Sequence, residues 1–477
     1  MHGDIKVVEI GIVLVYLAVC LAIGFIYARK ATSSEEQYWV GGRFLAKTGG
    51  ALAIFAVVGS ASTIMGSAGI AYSRGLPVAA AICAGFAVQF PLIAYITARP
   101  LLERNICTLG DYFKETIGGR HVLWAYSILT LVFMAAYIVP NLKASGIVGQ
   151  WLMGENFDYA TVVLVMGVTF LAYTSIGGMW AVTITDIIQG AIMVAGVGIL
   201  GGVILIQPGG YTELVQRAIA AAPNITQMGM PAISVLGLAM IWGLWGLVAP
   251  TTVMRVLTMD SNQSARRALM LGSIFAAFTI GIAMLAAMAG ADLKVTLAHP
   301  DMIFIVVMEK YLPPLFCGIL VAAIFSAIMS SVSAFLMSCS ATVARDIYKH
   351  MMNPAASEKK VILIGALMTW VVGLLTIFIS MGDLPLISVL AGLAAGGLIG
   401  AFLCPILLGL YWDKLSRNGV FWGMVSGFLT YVLLNRFKIV PPLSELIFAI
   451  PVSFVFTYGV SLLSPDKKGD ALQDEPL

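Results

Sequence analysis

The sequence predicts an all-α integral membrane protein, and three observations carry that prediction. Of the 477 residues 60% are apolar and only 11% are charged, whereas soluble domains carry about 25% charged residues. Runs of about 20 apolar residues recur almost from end to end, each long enough to cross a bilayer as a helix. These runs are continuous rather than alternating, which argues against a β-barrel. The net charge of +3 excludes a polyanion or nucleic-acid binder driven by charge, and the apolar content excludes disorder.

Thirteen transmembrane helices are expected, and each has a reason in the residues. The run at about 6–27 lacks a basic leader and a small-residue cleavage site and precedes Arg29 and Lys30, so it reads as a retained helix. The second, about 47–72, has a middle rich in small and hydroxyl residues, from Phe55 to Gly69. The third and fourth lie at about 77–99 and 122–148, the fourth carrying Pro140, Asn141 and Lys143. Gly177 and Gly178 part the fifth, about 158–176, from the sixth, about 182–206, which opens near Asp186. The seventh, about 232–256, holds Trp242-Gly243-Leu244-Trp245-Gly246 and then Pro250. The eighth lies at about 265–292. The ninth, about 303–343, is long enough to join a short interfacial helix to a membrane helix. The last four fall at about 360–381, 384–411, 417–435 and 443–464, followed by a short polar tail at 466–477.

Lysine and arginine set the orientation. With the N-terminus outside and the C-terminus cytoplasmic, about 19 of the 27 basic residues fall on the inner side, and the opposite topology inverts that ratio. The longest expected extramembrane stretches are about 207–231 and 344–359, too short for a fused soluble domain.

Enzyme chemistry is not evident. The six cysteines (Cys20, Cys83, Cys107, Cys317, Cys339, Cys404) form no CxxC pair. The four histidines (His2, His121, His299, His350) fall at the terminus or in expected loops, which argues against zinc. No phosphate-binding loop, dinucleotide fingerprint or nucleophile elbow occurs. The chain is therefore not expected to be an enzyme.

The polar residues inside the apolar runs hold the interest, because such groups are costly in lipid and mark function. The second run permits an unwound helix with free carbonyls, although small residues also serve packing. The seventh run has the Gly and Pro of a kinked helix. Two interrupted helices five spans apart point to an inverted repeat, with repeat one at about 47–206 and repeat two at about 232–411. In the ninth run Ser330 and Ser331 sit about 100° apart and reach one ion only at a helix contact. Hydroxyl and carbonyl oxygens suit a hard cation such as Na+, though a serine also bonds back to its own helix. Asp186 is either an N-terminal helix charge or part of an ion path. Lys143 either snorkels to the interface or faces a solute carboxylate.

These segments resemble the sodium:solute symporter family, nearest its pantothenate and proline branches, over almost the whole chain. The resemblance rests on Tyr173-Thr174-Ser175-Ile176-Gly177-Gly178-Met179-Trp180-Ala181 with Thr185, Asp186 and Gln189. It rests also on Ala327-Ile328-Met329-Ser330-Ser331 with Asp346-Ile347-Tyr348-Lys349, on Trp242-Gly243 to Pro250 and Arg255, and on Gly409-Leu410-Tyr411-Trp412. It implies one membrane transport domain over 1–465 with a leucine-transporter-type 5+5 inverted repeat, alternating access and Na+ as coupling ion. By motif position it places sodium on Ala56, Gly59, Ala327, Ser330 and Ser331. A second sodium or ion path would use Asp186, Ser330 and Ser333, but Ala334 stands where some members have a hydroxyl, which favours a single Na+. Solute contacts are expected from Ser60, Asn141, Lys143 and Trp242. The third run lacks the acidic residue of sugar-carrying relatives, so a small carboxylate such as pantothenate is favoured, with proline-like amino acids or monocarboxylates next. The expected partners are that solute, Na+ and the cell-membrane bilayer, with no nucleic acid and no obligate protein partner evident. A channel or a transporter-like sensor is the alternative of another class.

Overall fold

Helix follows helix along the chain because nothing else satisfies a backbone in hydrocarbon. The computed structural model describes all residues except 1–5, 42–44, 46, 105, 155–156, 296, 298, 383–384 and 467–477, so the expected tail lies almost wholly outside the described residues. In order the helices are α1 Val7–Ala31, α2 Glu35–Trp39, α3 Lys47–Val58, α4 Ser67–Arg74, α5 Leu76–Leu92, α6 Ala98–Leu102, α7 Leu109–Tyr112, α8 Arg120–Met153, α9 Tyr159–Leu205, α10 Gly210–Ala221, α11 Ala232–Val248 and α12 Pro250–Leu257. Then come α13 Asn262–Asp292, α14 Ile303–Tyr311, α15 Pro314–Ala341, α16 Glu358–Ser380, α17 Ile387–Tyr411, α18 Arg417–Arg436 and α19 Glu445–Leu463. Among the described residues no strand forms; a single bridge joins Leu45 to Met259.

Nine of these helical stretches are long and apolar enough to cross a membrane, and up to eleven if each of two bent pairs is one span. The bends fall where the sequence places them. Gly49–Val58 and Ser62–Arg74 meet at 66°, and Ala232–Val248 and Pro250–Leu257 at 44°. At the second bend Pro250 supplies no N–H and forces Ala249 into extended backbone (φ −68°, ψ 117°). Helix α9 has 47 residues, about 70 Å of rise, which is more than twice a hydrocarbon core. It is kinked at Gly178 (φ 51°, ψ −157°), a conformation that L side chains avoid, and a Cβ there would meet the Tyr38 ring.

The ninth run is a short helix, α14, followed by a long one, as its length suggested, and α15 begins at Pro314, where a proline is tolerated in the first turn. Two expectations change. At its far end α15 continues as a π-helical stretch, Thr342–Met352, so much of the expected loop at 344–359 is helix. His350 lies in that stretch and His121 in α8, neither in a loop.

The exterior is apolar, unlike that of a soluble protein, and hydroxyl groups are buried within an otherwise apolar interior. Ile26, Ile274 and Phe378 are exposed, as lipid-facing side chains should be, while Ser326, Ser330, Ser331 and Ser333 are fully buried. Helix α15 lies at the centre, packed on α1, α8 and α9; α3 packs on α9 and α13, and α11 on α5. Helices α18 and α19 pack on one another and on α17, to one side.

Candidate functional site

The first bend is held open by side chains. Helix α3 ends at Val58 because Gly59 and Ser60 leave helical geometry, which frees carbonyl oxygens before the bend and N–H groups after it. Local hydroxyls take up several of these groups. Thr63 Oγ1 donates to the Val58 carbonyl at 3.0 Å and accepts from the Ser60 N–H at 3.2 Å. Ser67 donates to the Ser62 carbonyl at 3.2 Å. From α8, Asn141 Oδ1 accepts the Ala61 N–H at 3.3 Å, while its amide donates to the Tyr137 carbonyl at 3.1 Å.

Helix α15 meets this bend. Ser330 Oγ lies 2.7 Å from the Ala56 carbonyl and 3.2 Å from the Ala327 carbonyl. Ser331 Oγ reaches the Val57 carbonyl at 3.5 Å. The structure therefore brings Ala56, Ala327 and Ser330 together, with Ser331 one residue along the same carbonyl row. Gly59 stands at the bend itself, its N–H bonded to the Phe55 carbonyl at 2.5 Å. The donors are neutral oxygens, buried and with no nitrogen among them, which fits a small hard cation better than a transition metal.

Asp186, a residue of the expected second ion path, has a charged partner in the fold. Its carboxylate is ion-paired with Arg255 of α12, which also donates to Thr183. Ser333 donates back to the Ser330 carbonyl at 3.0 Å. Thr185 contacts the Tyr173 hydroxyl at 3.1 Å, so this region is a polar seam between α9, α12 and α15.

The second bend is lined by aromatic rings. Trp242 stacks on Phe86 with ring centres 4.8 Å apart, and Trp245 stacks on Tyr137 at 5.1 Å. Tyr137 also meets Phe335 of α15 at 4.5 Å and lies beside Ser60 and Ser62, whose hydroxyls are 2.6 Å apart. Ser60, Asn141 and Trp242 thus converge around Tyr137, which sequence reasoning had not singled out. Helices α5 and α11 approach closely at Gly85, where a Cβ would sit 2.6 Å from the Ala239 carbonyl and 3.0 Å from Trp242 Cβ. One turn further, Gln89 accepts the Gly246 N–H at 3.1 Å. Among the described residues the buried Gln89 Nε2 and Trp242 Nε1 donors have no partner. Gln89 was also passed over; its only signal was an amide in an otherwise apolar run.

Lys143 does not join this group. Its ammonium donates to the Pro385 carbonyl at 2.5 Å, contacts His299 Nε2 at 2.8 Å and lies 3.8 Å from Asp301.

At the opposite end charges interlock. Arg345 donates to Glu35 at 3.0 Å and to Asp111 at 3.1 Å, and Lys349 to Glu35 at 2.6 Å. Burial opposes the charge of Asp111, yet Arg345, His350 and the N–H groups of Cys107 and Thr108 hold its carboxyl below the ordinary carboxylate range. Asp111, Asp346 and His350 bring ligand atoms within 4.8 Å of one another. Arg345 already neutralises Asp111, and Asp346 accepts from Thr108 at 3.2 Å, so this cluster reads as a structural tie between α2, α7 and the end of α15.

Known proteins resemble this chain in sequence and in fold. The profile of the sodium:solute symporter family matches residues 38–427. A sodium/pantothenate symporter of Haemophilus influenzae is 29% identical over 453 residues, covering 90% of this chain and 92% of the relative. The high-affinity proline transporter PutP of Bacillus subtilis is 28% identical over 457 residues, covering 93% and 96%. Among solved structures, a substrate-bound, outward-open Na+-coupled sialic acid symporter superposes with a TM-score of 0.80 at 20% identity, covering 96% of this chain and 99% of that one. MhsT in complex with L-phenylalanine gives 0.53 at 13% identity, covering 87% and 98%.

Proposed function

The chain belongs to the sodium:solute symporter family, a family of transporters rather than enzymes, with sodium as the coupling ion, and from that premise we propose that it imports a small carboxylate, pantothenate first, into the cell. The observation that carries the coupling half of this reading is the Ser330 hydroxyl set against the Ala56 carbonyl at the first bend. Na+ binds there between α3 and α15, on Ala56, Gly59, Ala327, Ser330 and Ser331. It fixes the shape of the bend, and Ser60 and Asn141 stand just beyond it. Solute binds between that bend and Trp242, where the unpartnered N–H groups of Gln89 and Trp242 suit an anionic group. Each ligand raises the affinity of the other by the same factor, which is what coupling requires. One Na+ with a monocarboxylate moves no net charge; with a zwitterion it moves one, and the membrane potential then adds about 2.3 kcal/mol per 100 mV.

Asp186 is held by Arg255, which supports a single Na+ rather than two. Counting each bent pair once, α9 as two spans across Gly178, and α18 as a span supports thirteen crossings and a repeat of five plus five helices. The basic residues support an outside N-terminus and a cytoplasmic tail, with the chain in the cell membrane.

The test is uptake of labelled pantothenate into proteoliposomes under an inward Na+ gradient, with choline as the replacement cation. Uptake that needs Na+, and that in Ser330→Ala needs far more Na+, is expected. Na+-driven uptake of proline but not pantothenate would move the solute to the amino-acid branch. Uptake driven by a pH gradient alone would overturn the ion assignment.

A further inference from the structure

Lys143 and Asp301 are both buried, on α8 and just before α14, and the structure gives each a specific set of partners. Asp301 Oδ2 accepts the N–H of Ile387, the first residue of α17, at 3.0 Å, and lies 3.2 Å from His299 Nδ1 and 3.8 Å from Lys143 Nζ. Its other oxygen, Oδ1, has no hydrogen-bond partner among the described residues and is pressed on α4, where a Cβ at Gly69 would come within 2.6 Å of it. Lys143 in turn donates to the carbonyl of Pro385, two residues before α17. Three elements therefore meet on one buried charge pair: the far half of the first bent helix, α8, and the start of α17.

Asn141 and Lys143 are two residues apart, about 200° around α8, so Asn141 reaches the bend while Lys143 reaches away from it. Gly69 lies about 13 Å of helical rise beyond the bend, on the same rigid segment that carries Ser62. The start of α17 also rests on that segment, since a Cβ at Gly66 would sit 3.2 Å from the Ser388 nitrogen.

We propose that Lys143, His299 and Asp301 form an outer latch, positioning residues that hold α4, α8 and the start of α17 together above the ion and solute sites and must part before those sites open outward. Lys143 acts on the end of the bent helix and not on the solute. His299, whose side chain is 30% exposed, is the member that water reaches. Removing one member leaves the other charge without its opposite charge in a buried place, which favours the open arrangement, where water can reach it. The outward direction rests on the orientation proposed above.

The test is the rate at which a membrane-impermeant maleimide labels Ser388→Cys in intact cells, with the native chain as the blank. Ser388 is buried beneath the latch at the start of α17, and Ser234, equally buried at the start of α11, is the control. Lys143→Met and Asp301→Asn are each expected to speed labelling at position 388 by about tenfold and to leave Ser234→Cys unchanged, the signature of a population shift. The double variant, with neither charge stranded, should be less open than Asp301→Asn alone. An unchanged rate at 388 would overturn the latch, and an equal rise at 234 would overturn it too, because it would mean a loosened fold. If Lys143→Met does not reach the membrane, His299→Gln takes its place. Exposed Lys294→Cys reports orientation separately: labelling only after permeabilisation would refute the outside assignment, and the 388-to-234 ratio measured in permeabilised cells would still decide the latch.

Discussion

The two bent helices share a shape and differ in how their freed backbone is satisfied. At the first bend, 66° between its halves, hydroxyls of Thr63 and Ser67 and the amide of Asn141 take up backbone groups, and carbonyls of α3 are left facing α15. At the second, 44°, Pro250 removes the donor outright, and Gln89 takes the Gly246 N–H from across the α5 contact. The first bend is therefore a row of oxygens, which suits the cation proposed for it. The second is an aromatic wall with two unused N–H groups, and its far half, α12, is moored to α9 by the Arg255–Asp186 pair. One geometric device serves two chemistries because the side chains around it decide which backbone atoms remain available.

That contrast can be broken at each end. The largest effect is expected at the mooring. Arg255→Met leaves Asp186 buried and unpaired and should cost about 3–5 kcal/mol of stability, read as thermal unfolding in detergent. Adding Asp186→Asn should restore most of it; a double variant as unstable as the single one would show that the pair is not what holds α12. Next, Ser330→Ala removes one oxygen from the proposed ion site. It should weaken the apparent Na+ affinity by about thirtyfold, near 2 kcal/mol, with little change in unfolding temperature. Unchanged Na+ affinity would mean that the hydroxyl merely joins α15 to α3.

Smaller effects are expected at the second bend. Gln89→Leu leaves the Gly246 N–H unpaired and should raise the solute KM by about tenfold, while the Na+ concentration for half-maximal uptake stays put. If Na+ dependence moves as much as solute dependence, the division of labour between the bends is lost. Trp242→Phe keeps an aromatic ring against Phe86 but deletes the indole N–H along with the pyrrole half of the ring, so it should raise the solute KM about fivefold, near 1 kcal/mol. An effect as large as that of Trp242→Ala would instead assign the binding to ring shape.

Much of this was legible in the residues. A helix break needs glycine, proline or hydroxyls at one place in an apolar run, so both bends and the kink at Gly178 could be read from Gly59-Ser60, Ala249-Pro250 and Gly177-Gly178. Ser330 was legible for a similar reason: hydroxyls are conspicuous where lipid-facing residues are expected. Gln89 and Tyr137 were missed because a single amide or phenol in an apolar run is indistinguishable, by composition, from one that only satisfies its own helix. The π-helical end of α15 was missed because its polar residues, Arg345, Asp346, Lys349 and His350, look like a loop until Glu35 and Asp111 are placed beside them.

The sequence by itself determined the membrane class, the two breaks and the oxygen-bearing segments, because hydropathy and backbone sterics act within a few residues of each other. Only the tertiary structure decided the partners of the charges. From the residues Asp186 reads as an ion ligand or a helix-end charge and Lys143 as a solute ligand or a snorkelling one; the fold sets Arg255 beside the first and Asp301 with His299 beside the second. A charge in a low-dielectric interior takes its role from whatever counter-charge the fold sets within a few ångströms, and here each partner is contributed by a helix or loop far away in the chain.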